Sequence, residues 1–201
     1  MDKMELRRTL QNCLSAIPPE QKREKSQKAC QNLISTPQFQ HASVIMMYLS
    51  LLEEVDTSEA IRCAWQSDKI VAVPKISWSE GFITAVRIDS LESGFSRGAS
   101  GLRNPITGVP IPVEQIDLVV APGLGFDSEG NRLGRGGAYY DRFFANKELK
   151  ALRCGFAFTE QVVDSVPTTE YDEPVDFLVT DEKVMYFKPV GEFEEKTLPT
   201  P

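Results

Sequence analysis

Segment 130–143, GNRLGRGGAYYDRF, gathers four glycines, three arginines, a tyrosine pair and an aspartate. Glycine lets a backbone approach a ligand closely, and Arg132 and Arg135 carry planar donors suited to phosphate or carboxylate oxygens. The chemistry these types support is anion binding. A Walker A loop would need a Lys-Ser/Thr pair after its last glycine and a dinucleotide fingerprint would need GxGxxG, and the segment has neither. Read as a strand–loop–helix unit with its helix over about 137–149, it would aim free amides and the positive dipole end past Gly134, Arg135, Gly136 and Gly137, a phosphate cradle without a lysine. A flexible surface loop with solvated arginines has the same composition. Asp141, at i+4 from Gly137, falls on the same side. There it suits magnesium, which takes one or two carboxylates beside phosphate oxygens and water, and it equally suits a first helical turn as a simple favourable acid.

Other groups compete for attention. Gly94 to Gly98 match GxSxG around Ser96, but a nucleophile elbow needs a helix after it and a histidine later in the chain. The next residues, ASGLRNP, start a helix poorly, and His41, the one histidine, comes earlier, so the match reads as accidental and His41 as a surface or strand-edge residue. Lys3, Arg7 and Arg8 cluster on the first helix, where a solvated face explains them. Cys13, Cys30, Cys63 and Cys154 form no CxxC pair, so neither zinc nor a disulfide framework is expected.

These groups need elements to position them. Leu6, Leu10, Cys13, Leu14 and Ile17 recur at helical spacing, and Pro18-Pro19 closes that helix and opens a second one to about residue 35. Two helices thus precede the first strand. Apolar runs predict buried strands at 44–49 and 116–121, further strands at 70–73 and 152–158, a more exposed one at 82–88 and a closing pair near 177–179 and 184–187. Asp56 with Glu59 resembles a capping box for a helix to about 66. Residues 89–115 show no period and read as loop. Strands alternating with helices indicate an α/β fold, a largely parallel sheet with helices on both faces, whose ligands sit beyond the strands' carboxyl ends. That topology would place Glu53, Glu54, Asp127 and the arginines around one crevice.

At 201 residues with a net charge of −7, the chain suits one core over residues 1–195, with KTLPTP (196–201) as a loose tail. The negative charge argues against nucleic-acid binding, so an anionic ligand must meet a local basic site. The start MDKMELRRTL lacks the apolar core of a signal peptide and no segment has membrane-spanning length, so a cytoplasmic location is expected.

The run APGLGFDSEGNRLGRGGAYYDRF resembles the signature of the 5-formyltetrahydrofolate cyclo-ligase family. The similarity extends to KxxLR at Lys3 to Arg7, to YLSLLEEVDT after the first strand, to VAVPKI in the second and to VPTTEYDEPVDFLVT near the end. The resemblance implies conversion of 5-formyltetrahydrofolate to 5,10-methenyltetrahydrofolate with magnesium and ATP as cofactors, releasing ADP and phosphate. Phosphorylating the formyl oxygen would make it a leaving group for attack by N10, chemistry that needs positioning and charge stabilisation rather than a protein nucleophile. By motif position, Lys3, Arg7, Arg132, Gly134, Arg135, Gly136, Gly137, Ala138, Tyr139 and Tyr140 resemble the ATP contacts. Leu49 and Glu54, with Arg135, Gly136, Gly137, Ala138 and Tyr139, resemble the folate contacts. Arg135 and Tyr140 resemble catalytic groups, and Asp141 and Asp172 the magnesium carboxylates. The implied partner is a small folate, with or without a polyglutamate tail; charge and hydropathy argue against nucleic-acid and membrane partners, and a monomer is favoured, with the oligomeric state left open. The family usually has glycine where this chain has Ala138; the aromatic spacing that follows predicts this position in the first helical turn, where alanine is favoured by up to ~1 kcal/mol. A non-catalytic folate or nucleotide binder, and a hydrolase using Ser96, are the alternatives.

Overall fold

A computed structural model describes residues 2–98 and 101–187; the expected tail at 196–201 lies outside them. Asp2 caps α1 (Lys3–Ala16): its carboxylate accepts from the Met4 and Glu5 amides at 2.8 Å, and Glu5 accepts in return from the Asp2 amide. Leu6, Leu10 and Leu14 form its buried face, whereas Cys13, expected among them, is exposed. Pro19 opens α2 (Pro19–Ile34) as expected, and a short α3 (Pro37–His41) follows, started by Thr36 and Pro37. After β1 (Val44–Met47) comes α4 (Ser58–Gln66), then β2 (Ile70–Ser77) and β3 (Phe82–Arg87). The Asp56–Glu59 capping box does not form. Thr57 is the N-cap, its hydroxyl donating to the Tyr48 carbonyl, and Asp56 accepts from the Ser58 amide.

Residues 89–115, expected as loop, contain the hairpin β4 (Phe95–Arg97) and β5 (Arg103–Pro105). Strands of three residues are too short to show a period. The hairpin is fastened to β2 by Asn104, whose side chain accepts from the Ile76 amide at 2.8 Å and donates to the Ile76 carbonyl at 3.0 Å. Then come β6 (Leu118–Ala121), the two-residue strands β7 (Gly125–Phe126) and β8 (Arg132–Leu133), α5 (Tyr139–Phe144), β9 (Leu152–Phe156), β10 (Phe177–Val179) and β11 (Val184–Tyr186). Helix α5 is much shorter than the expected 137–149. Ala138 precedes it in the left-handed region, at φ 52° and ψ 24°, so the expectation of a helical Ala138 is overturned. At its far end the Asn146 side chain accepts from the Glu148 amide, turning the chain away.

The main sheet has the order β11-β10-β9-β6-β1-β2-β3, parallel through its five inner strands and antiparallel at both edges. Alternate residues of β1 divide between the two faces. Ile45 and Met47 pack with Leu10, Leu33 and Ile61 of the first, second and fourth helices, and Met46 packs on the other face with Phe143 and Phe144 of α5. The chain leaves β1 toward β2 and β3, then returns to β1's other side as β6. The crevice beyond the carboxyl ends of β1 and β6 is therefore the switch point where α/β sheets bind ligands. Among the described residues no helix is long and apolar enough to cross a membrane.

Candidate active site

Two loops fill that crevice. The 48–57 loop leaves β1 and carries Glu54, whose carboxylate accepts from the Leu51 amide at 3.0 Å and from Arg135 Nε at 3.1 Å. The 122–138 loop leaves β6 and is braced by Asp127. This buried carboxylate accepts from the Glu129 and Asn131 amides, the Asn131 side chain and the Val166 amide. Asp127 is thus a loop brace and not, as topology alone suggested, a crevice group. Glu53 accepts from Ser15 of α1 at 2.5 Å and lines neither of the two cavities into which the crevice divides.

Arg132 is the hinge of the site. Its side chain is only 3% exposed, donates to the Pro122 carbonyl at 3.2 Å and to Asp141 Oδ1 at 2.8 Å, and lies over the Tyr140 ring at 5.5 Å. Its Nε has no partner. From α1, Arg7 Nε donates to the Gly134 carbonyl at 2.9 Å, and Lys3 pairs with Asp172. Gly136 has φ 105°, a conformation costly for any other residue, and a Cβ at Gly137 would come within 2.8 Å of the Tyr139 ring.

These contacts divide the crevice into two cavities with a common wall of Arg132, Gly134, Ala138 and Asp141. One brings together Leu49, Glu54, Arg135, Gly137, Tyr139 and Tyr140. The other brings together Lys3, Arg7, Gly136 and Asp172. Every residue that the family resemblance implied as a site residue lines one or both, whereas Glu53 and Asp127, placed there by topology alone, line neither. Of the residues implied for both ligands, Arg135, Gly137 and Tyr139 line the first cavity alone and Gly136 the second alone; Tyr140, implied as an ATP contact, lines the first, and Arg135 faces Glu54 and not Lys3 and Arg7. The six-residue α5 also contributes little dipole, so charge in the second cavity comes from Lys3, Arg7 and Arg132.

The first cavity has walls that sequence reasoning missed. Ile76 and Ile83 of the β2–β3 pair and Leu102 of the β4–β5 hairpin give it apolar sides, and Arg103 stands at its mouth. The hairpin residues were hidden because 89–115 lacks periodicity. The Tyr140 hydroxyl is buried without a partner; burial, then the charge of Glu54, raise its pKa well above the ordinary value, so it remains a neutral donor.

In the second cavity burial would raise the Asp172 carboxyl, but the Lys3 ammonium and the Thr169 amide and hydroxyl outweigh it and hold the pKa below its ordinary value. Among the described residues no three metal-ligating side chains gather. Asp141 and Asp172 nevertheless fit magnesium held beside phosphates, which needs only one or two protein carboxylates. Ser96 is no nucleophile: its hydroxyl donates to the Asn104 carbonyl within the β4–β5 hairpin, and His41 lies before β1, at the sheet end opposite the crevice.

A family model described as the 5-formyltetrahydrofolate cyclo-ligase family matches residues 1–181. The chain is similar to the 5-formyltetrahydrofolate cyclo-ligase of Mus musculus, with 31% identity over 181 residues covering 85% of this chain and 89% of that protein. It is 30% identical to that of Escherichia coli (strain K12), over 84% of this chain and 94% of the relative. An NMR structure of Aquifex aeolicus 5,10-methenyltetrahydrofolate synthetase superposes with a TM-score of 0.81 at 31% identity, covering 100% of both chains.

Proposed function

Because the chain belongs to the 5-formyltetrahydrofolate cyclo-ligase family, we propose that it closes 5-formyltetrahydrofolate to 5,10-methenyltetrahydrofolate at the expense of ATP, with magnesium. The observation that carries this reading is the pair of cavities meeting at Arg132 and Asp141, one largely apolar and one ringed by cations. A planar pterin suits the first, where Glu54 accepts from its exocyclic amine and neighbouring ring N–H. Phosphates suit the second, where Lys3, Arg7 and Arg132 oppose their charge and Asp141 and Asp172 supply the two carboxylates for the metal.

ATP supplies the phosphoryl group that turns the formyl oxygen into a leaving group before N10 attacks. The chain's own residues orient and stabilise. Arg132, fixed by Pro122 and Asp141 at the common wall, meets charge developing between the two ligands without having to reorganise. The neutral Tyr140 hydroxyl donates to an oxygen in the first cavity, and Arg135 holds Glu54 in place.

The test is to mix the protein with 5-formyltetrahydrofolate, magnesium and ATP and follow the near-ultraviolet absorbance of the methenyl product. Product formation requiring both ATP and magnesium is expected. Tight binding of both ligands without product would make the protein a non-catalytic binder and overturn the reading.

A further inference from the structure

Arg142 lies outside both cavities, on the exposed side of α5, yet it is committed to two backbone carbonyls. Its Nε donates to the Gly81 carbonyl at 2.6 Å and its Nη2 to the Gly137 carbonyl at 2.8 Å. Gly81 belongs to the β2–β3 turn and has φ 73°, with its amide donating to the Ser77 carbonyl. Gly137 is the last glycine of the 122–138 loop, next to the left-handed Ala138. The same guanidinium lies over the Tyr139 ring at 5.1 Å, and Trp78 of the turn meets that ring edge-on at 6.1 Å. The Arg142 amide itself donates to the Ala138 carbonyl at 3.1 Å. One residue therefore grips both carbonyls around the strained position and ties them to a different part of the sheet.

We propose that Arg142 is a positioning residue: by bridging the Gly81 and Gly137 carbonyls it holds the glycine loop, with Ala138 left-handed, in the shape that both ligands require. Alanine disfavours the left-handed backbone, so an unsupported loop would spend most of its time elsewhere. Residues Gly134 and Ala138 line both cavities, so such a loss of shape weakens both ligands together. A residue touching one ligand weakens that ligand alone. The inference rests on the assignment of these cavities to nucleotide and folate.

The experiment compares wild type, R142A, R142K, A138G and the double variant A138G/R142A. Calorimetry with magnesium-ATP alone and with 5-formyltetrahydrofolate alone should show R142A weakened about tenfold for each, since apparent affinity falls with the competent fraction. Turnover at saturation should be largely kept, because the reacting groups are unchanged once the loop is filled. R142K, with one compact donor group for two carbonyls, should fall between R142A and wild type. In the A138G background, where the left-handed backbone is freely available, the R142A effect should shrink to about twofold. Without ligand, R142A should speed hydrogen exchange of the 134–138 amides. Unchanged exchange, a loss confined to one ligand, or an undiminished loss in A138G/R142A would overturn the proposal. Failure of the wild type to bind either ligand would instead overturn the assignment of the cavities, while the exchange measurement would still judge the bridge.

Discussion

Ala138 has φ 52°, a conformation costing alanine roughly 1–2 kcal/mol that glycine adopts without penalty. Glycine also loses more entropy on folding, about 0.4–1 kcal/mol, so Ala138→Gly should leave a net stabilisation of up to ~1.6 kcal/mol. Denaturant unfolding checks this; a less stable variant would mean that the position is helical after all. Side-chain types at the site were legible in the sequence, because arginines, glycines and carboxylates declare their chemistry. The handedness of one alanine was not, since the aromatic spacing after it suits a helix starting on either side. A second residue-scale prediction concerns Glu54, which is nearly buried and already accepts from Arg135 and the Leu51 amide. Glu54→Gln keeps the shape but turns one acceptor into a donor, which should cost ~1–3 kcal/mol of folate affinity. Magnesium-ATP affinity should be unchanged by calorimetry; equal weakening of both ligands would make Glu54 a support of the loop instead.

At the scale of elements, the apolar runs and helical spacing located α1, α2, α4 and the main strands because each buries a continuous face. The β4–β5 hairpin and the ends of α5 escaped, since they are set by the Asn104 contacts with Ile76 and by local backbone geometry, not by any period. Polar ties between distant elements are equally invisible in a sequence. Lys25 of α2 reaches Asp181, just after β10, at 2.6 Å and Glu160 at 3.0 Å. Asp181 also accepts from the Thr159 amide and hydroxyl. Burial opposes both charges, yet the pairing prevails: the Asp181 pKa lies below its ordinary 3.8 and that of Lys25 above its ordinary 10.5. A depressed carboxyl stabilises the fold above its unfolded value and loses that contribution as pH falls through the folded one. A raised ammonium stabilises below its unfolded value and loses the contribution as pH climbs through the folded one. The tie is therefore at full strength between 3.8 and 10.5 and weakens outside. Lys25→Met should cost about 3 kcal/mol at neutral pH by leaving two carboxylates unpaired. The deficit relative to wild type should narrow below pH 3.8, where protonation relieves the unpaired Asp181. Urea melts at neutral and acidic pH measure both; a deficit that stays constant with pH would show that Lys25 acts by packing alone.

For the whole molecule, the site joins distant stretches of chain: the start of α1, the loops after β1 and β6, and the turn at Asp172. The sheet order makes this possible by opening the crevice between β1 and β6, and that much follows from the alternation of strands and helices. Which cation faces which cavity does not, because Lys3 and Arg7 occupy one helical face yet do different things. Arg7 donates to the Gly134 carbonyl and so helps to shape a loop common to both cavities, whereas Lys3 pairs with Asp172 and lines the second cavity only. A ligand that binds the folded state stabilises the entire molecule, by ~2.7 kcal/mol at a hundred times its dissociation constant. Lys3→Ala removes a phosphate-facing charge from the second cavity, so nucleotide affinity should fall at least tenfold and its stabilisation shrink by ~1.4 kcal/mol or more at the same concentration. The stabilisation by 5-formyltetrahydrofolate should be intact in Lys3→Ala and reduced, together with that of the nucleotide, in Arg7→Ala. Thermal melts with each ligand separately give the comparison. If Lys3→Ala lost both shifts alike, α1 would be holding the whole crevice together and the division into two cavities of different chemistry would be wrong.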